Sequence, residues 1–161
     1  MKQFPPAHTN YDRALKMYRD LYKNEYHQKV AMVLMNIGIL WGDEKEFHKA
    51  IKFYEQSLPI YIKTLGEKHP DVAMVYGNLG VAWSQLGNQE KAIEYELKAL
   101  AIKEATFEFG HPSLAMSHWN ISCSYVNMNQ LNNALKHREI AYKMMAKHDP
   151  AHKLKHTKQY K

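Results

Sequence analysis

The sequence predicts an all-α fold, a solenoid of stacked helical hairpins, on three observations. The chain repeats itself every 42 residues: residues 27–68 laid on 69–110 give 14 identities in 42 positions, and a third copy from His111 keeps Ala115, Met116, Asn120, Ala134 and the aromatic Tyr125 in register. A period in that range marks an array whose units bury their apolar faces on one another. Within each unit apolar residues recur at three-four spacing, the signature of a helix, and no segment alternates with period two. A break at Leu86-Gly87-Asn88 divides the unit into two such stripes, because Gly and Asn tolerate the left-handed conformation that ends helices.

Each element follows from this template. Residues 1–9 are expected to form an N-terminal extension and residues 10–26 a capping helix, since Ala14-Leu15-Lys16-Met17-Tyr18 echoes Ala50-Ile51-Lys52-Phe53-Tyr54 without a preceding partner. The three-repeat array spans residues 10–149 together with this cap. Repeat 1 (27–68) places helices at 29–42 and 46–64. In repeat 2 (69–110), Val72, Ala73, Val75, Tyr76, Leu79, Gly80, Ala82 and Trp83 form the stripe of a first helix over 70–86, and Ala92, Ile93, Tyr95, Leu97, Ala99, Leu100 and Ile102 that of a second. Repeat 3 (111–149) places helices at 112–127 and 130–147, and Pro150 ends the last. His69-Pro70-Asp71 and His111-Pro112-Ser113 are start signals, because Pro suits a first helical turn and Asp there favours the helix dipole. Residues 150–161 are a basic tail in which disorder is favoured over a short helix.

Composition narrows the function classes. The 161 residues, 45% apolar and 24% charged, are those of a folded globular protein, and no uncharged apolar run approaches the roughly 20 residues that cross a bilayer. The first residues lack a secretory signal, and the lone Cys123 forms no internal disulfide, so a cytoplasmic location is expected. The net charge of +6 is concentrated at one end: residues 143–161 carry six Lys and one Asp. That distribution disfavours nucleic-acid binding by the array and leaves it a lesser reading for the tail.

Small residues at Gly38, Gly80 and Ser122, and at Ala50, Ala92 and Ala134, let paired helices approach, while Trp41, Trp83 and Tyr125 fill space between hairpins. Together with Asn78-Leu79-Gly80, Leu86-Gly87-Asn88, Ala92-Ile93 and Ala99-Leu100, these columns resemble the tetratricopeptide repeat. The 42-residue period, the long second helix and the junction Leu65-Gly66-Glu67-Lys68-His69-Pro70-Asp71 are similar to the kinesin-light-chain type. Kinesin light chains carry a heptad coiled coil ahead of their repeats. None stands here, so the chain is expected to be a relative or a fragment.

The resemblance implies a right-handed superhelix whose first helices line a concave groove for an extended partner segment. Met32, Met35, Asn36 and Ile39 would line it in repeat 1; Met74, Asn78, Val81 and Gln85 in repeat 2; and Met116, Trp119, Asn120, Cys123 and Asn127 in repeat 3. By position, Asn36, Asn78 and Asn120 inherit the role of holding a peptide backbone, although an amide on a helix face can equally bond a neighbouring carbonyl. No Lys or Arg falls on these first-helix positions, which argues against recognition of acidic cargo. The column Met32, Met74 and Met116 favours packing over an adaptable surface. Trp119, whose repeat mates are Met35 and Gly77, is either a binding hot spot or core.

His27, His69 and His111 recur at the period, too far apart to share a metal, and are expected to start helices. His148, His152 and His156 lack a completing carboxylate or thiolate, so no metal or other cofactor is expected. The seven glycines compose neither a phosphate-binding loop nor a dinucleotide fingerprint, and Asp43-Glu44 sits at a polar turn, so no catalytic residues are assigned. The expected function is that of a non-catalytic protein-binding adaptor. The alternative is a structural subunit, self-associating or docking through the ends of its stack.

Overall fold

The computed structural model describes residues 6–23 and 26–148, and the basic tail lies outside them. Among the described residues there are seven helices: α1 (Pro6–Tyr22), α2 (Gln28–Asp43), α3 (Phe47–Leu65), α4 (Pro70–Gln85), α5 (Gln89–Thr106), α6 (Pro112–Asn127) and α7 (Leu131–His148). The capping helix begins and ends earlier than the sequence predicts, taking in residues 6–9 of the expected extension. Pro6 opens it, as its missing amide costs nothing in a first turn. The other boundaries fall within a few residues of the predicted ones.

Three recurring devices make the hairpins alike. The imidazole Nδ1 of His27, His69 and His111 accepts the backbone N–H two residues on, at 3.1 Å in each case, capping α2, α4 and α6. At the other end of each first helix the chain turns through a left-handed residue, Lys45 (φ 62°), Gly87 (φ 82°) and Asn129 (φ 57°). Paired backbone bonds close these turns, such as Asn88 N–H to Trp83 O with Gly87 N–H to Ser84 O, and Glu46 N–H to Trp41 O with Lys45 N–H to Gly42 O. The turn is therefore the same Schellman motif in all three repeats, even where the glycine is replaced. Third, in the first two hairpins, Lys49 and Lys91 set their ammonium groups 4.1 and 4.0 Å over Trp41 and Trp83, holding each half-buried indole against its own hairpin.

Consecutive helices pack in pairs along the chain, and α2 also touches α4, and α4 touches α6, while α3, α5 and α7 do not meet one another. The first helices thus form the tighter inner row and the second helices the outer one. The apolar core has two clusters. One runs from Val30 and Tyr61 to Leu79 and Ile102; the other joins Leu100, Leu114, Ile121 and Met144. Helices α4, α5 and α6, of which α5 contributes to both clusters, also carry the polar side chains described next.

Candidate functional site

The inner row is only partly closed. Ile39, Met74, Val81, Gln85, Met116 and Asn127 are exposed, Met116 by 56%, whereas Met32, Asn36, Asn78, Trp119, Asn120 and Cys123 are half-buried. The methionine column therefore divides: Met32 packs against the core, and Met74 and Met116 face outward. Met35 is 7% exposed, a core residue and not a groove residue, because it closes into the cluster containing Leu34 and Tyr61. A cavity of about 320 Å³ opens between α4, α5 and α6 and brings together Met74, Asn78, Val81, Met116 and Asn120. A smaller neighbour of about 210 Å³ adds Gln85, Trp119 and Cys123. Met32, Asn36, Ile39 and Asn127 line neither of these two.

Both cavities are floored by Glu96, and the larger one also by Lys103, two α5 residues that columns on the first helices do not reveal. Glu96 is 2% exposed. Its Oε1 accepts from Asn120 Nδ2 at 2.8 Å, while Oε2 is buried without a hydrogen-bond partner. Burial pushes the carboxyl pKa up, and the Asn120 amide, the Lys103 ammonium and the Ser117 hydroxyl pull against that. Lys103 Nζ donates to Ser117 Oγ at 2.7 Å, and burial lowers its pKa against the opposing pull of Glu96. The first-helix positions carry no Lys or Arg, but a cation does reach the larger cavity from the second helix.

The asparagine column also splits. Asn120 is committed to Glu96, a structural role, whereas Asn78 Nδ2 is buried with no partner. Two residues lining one cavity, Asn78 on α4 and Glu96 on α5, therefore each carry an orphaned polar atom, a donor and an acceptor. An unsatisfied buried polar atom costs about 1–3 kcal/mol.

The signal that would have found these residues is a break in the 42-residue register. Glu96 stands where repeat 1 has Tyr54, and Lys103 where it has Tyr61. Tyr54 lies against Gly38, at which an added Cβ would come 2.5 Å from the ring; Glu96 lies against Gly80, at which a Cβ would come 2.7 Å from its Cγ. The small-residue column thus keeps its purpose while the large partner changes from phenol to carboxylate.

The third hairpin alters the column again. Arg138 stands in register with Tyr54 and Glu96, its guanidinium 4.8 Å over the Trp119 ring, and Tyr142 meets that ring edge-on at 6.5 Å. Trp119 is accordingly held by α7 of its own hairpin and offers only part of its surface to the smaller cavity. Beside it, His118 and His137 face each other, Nδ1 to Nδ1, at 2.9 Å. Burial lowers both pKa values, and for His118 the neighbouring ring adds to the effect. Among the described residues no three His, Cys, Asp or Glu side chains converge as a metal set, and the sequence reading of His152 and His156 lies outside them.

Hairpins of 42 residues with a shared cap, turn and small-residue column define a helical-repeat protein, and the tetratricopeptide-repeat family model matches residues 29–105. Over those residues the chain is similar to the tetratricopeptide repeat, and the fold as a whole is that of an all-α helical-repeat solenoid. Its fold is similar to that of BtubC from P. vanneervenii (TM-score 0.77, 24% identity), covering 86% of this chain and 55% of that one. It is also similar to a Podosopora anserina protein described as a kinesin light chain with nearly identical TPR-like repeats (0.66, 20%, covering 89% and 71%). A third likeness is to RapI in its apo form (0.75, 22%, covering 86% and 37%). The chain therefore spans about half the length of BtubC. No match was found among curated proteins. The fold suits protein–protein interaction, and no helix among the described residues is long and apolar enough to cross a membrane.

Proposed function

We propose that this chain is a non-catalytic adaptor, working in the cytoplasm, that holds a segment of a partner protein along the inner row of α2, α4 and α6. The observation that carries this reading is the exposed apolar row Ile39, Met74, Val81 and Met116, left open on helices whose other faces are buried. Three of these, Met74, Val81 and Met116, border one cavity, and clustered exposed apolar surface marks interaction sites. Orphaned polar groups beside that row supply the orienting hydrogen bonds that an apolar surface lacks.

A second reading has its own support. Leu131 and Leu135 on α7 are exposed, Leu135 by 59%, as are Met17 and Leu21 on α1, so both ends of the stack offer apolar contact surface. That favours a structural subunit which docks or pairs through its ends. A photo-crosslinking amino acid placed at Val81 in one variant and at Leu135 in another separates the two. Adducts at position 81 to a partner protein support the groove, whereas adducts confined to position 135 assign the function to the stack end.

A further inference from the structure

We propose that the cavity between α4, α5 and α6 is a socket for a primary carboxamide, the side chain of a Gln or Asn in the partner segment, whose NH2 donates to Glu96 Oε2 and whose C=O accepts from Asn78 Nδ2. This rests on the groove reading and gives it a chemistry. The two protein atoms are a buried acceptor and a buried donor, each without a partner, on two residues that line the same cavity of about 320 Å³. A carboxamide satisfies both at once, because it carries a donor and an acceptor on one planar group.

Charge selects against the other candidates. The floor holds one carboxylate, Glu96, and one ammonium, Lys103, which already donates to Ser117. The site thus carries no net charge to complement, and a bare Lys or Arg head would meet Lys103, while a carboxylate would meet Glu96. Depth selects a side chain over a peptide backbone. Glu96 is 2% exposed, beneath a rim of Met74, Val81 and Met116, so a chain riding on that rim reaches the carboxylate only by inserting a side chain. The register supports a binding role as well. Repeat 1 fills the equivalent positions with Tyr54 and Tyr61, so the second repeat carries buried charge where its neighbour carries packing.

The test is selection of a random-peptide phage library on the intact chain, counter-selected on Val81→Glu so that only groove binders survive. The expected result is enrichment of Gln or Asn at one peptide position. Replacing that residue by Leu or Glu should weaken binding to the unaltered protein by about tenfold or more, as expected for loss of hydrogen bonds to a charged group. Glu96→Gln, which presents an amide donor where the acceptor was, and Asn78→Ala should each weaken the selected peptide to a similar degree with unchanged helical content. Groove binders enriched instead in Lys or Arg, or with no residue preference, overturn the carboxamide assignment and leave the groove reading standing. Failure to select any binder sensitive to Val81→Glu overturns both.

Discussion

Glu96 occupies in the second hairpin the place that Tyr54 occupies in the first, 42 residues earlier, each pressed against the glycine of the facing helix. The exchange goes with a second one: Gly42, whose added Cβ would lie 3.7 Å from the Tyr54 hydroxyl, becomes Ser84. A shorter side chain on α5 leaves room for a longer one on α4. Glu96 lines both cavities, so a carboxylate stands there in place of the ring.

Gly38→Ala should destabilise the array by about 1–3 kcal/mol, the range for overpacking a filled interior, because the new methyl would sit 2.5 Å from the Tyr54 ring. Urea unfolding measures it. An unchanged midpoint would mean that the two helices have room to separate.

Asn120→Ala and Asn78→Ala should part company in stability. The first strips the buried Glu96 carboxylate of its Asn120 amide donor, at a cost of about 1–3 kcal/mol. The second deletes a buried Nδ2 that has no partner to lose, so stability should hold or rise, by at most about 1–3 kcal/mol. Equal losses in thermal melts would refute the division of labour within the asparagine column.

The buried carboxyl predicts a pH signature. Its folded-state pKa lies above the ordinary value of 4.5, so the folded chain holds this proton more tightly than the unfolded one. That contribution to stability is present at acid pH and is lost as pH rises through the folded-state pKa. Wild type should therefore lose stability relative to Glu96→Gln as pH is raised from about 4 to 8, measured by chemical unfolding of both. A difference independent of pH would show that Glu96 titrates as if exposed.

The His118–His137 pair has the opposite sign. Burial lowers both imidazoles below the ordinary 6.5, so their contribution is present above that pH and is lost as pH falls through the folded-state values. Two protonated rings at 2.9 Å would also repel each other. The melting temperature should fall on acidification below about pH 6.5, and His137→Phe should flatten that fall. An identical slope in the variant would assign acid sensitivity to other groups.

Much of the fold was legible in the sequence because it is written in local terms. A stripe at three-four spacing, a capping histidine and a turn residue each act within a few positions, and the 42-residue register repeats them. Even the departures at Lys45 and Asn129 change nothing in the turn, since neighbouring backbone bonds impose the same positive φ on any residue placed there. The site was less legible. Of the residues projected from the first-helix columns, Met74, Asn78, Val81, Met116 and Asn120 share one cavity, Met32, Asn36, Ile39 and Asn127 line neither cavity, Met35 is core, and Glu96 and Lys103 were overlooked.

The sequence by itself determined that this protein is an all-α repeat array, where its hairpins begin and turn, and which residues allow their helices to approach, because these depend on periodicity and short-range bonding. Only the tertiary structure decided which polar groups meet. The bond from Asn120 to Glu96 spans 24 residues and joins two helices, and the Nδ2 of Asn78 is left without a partner. Hydrogen bonding and burial depend on distance and solvent access across helices, and a repeat pattern that places columns on faces leaves those distances open.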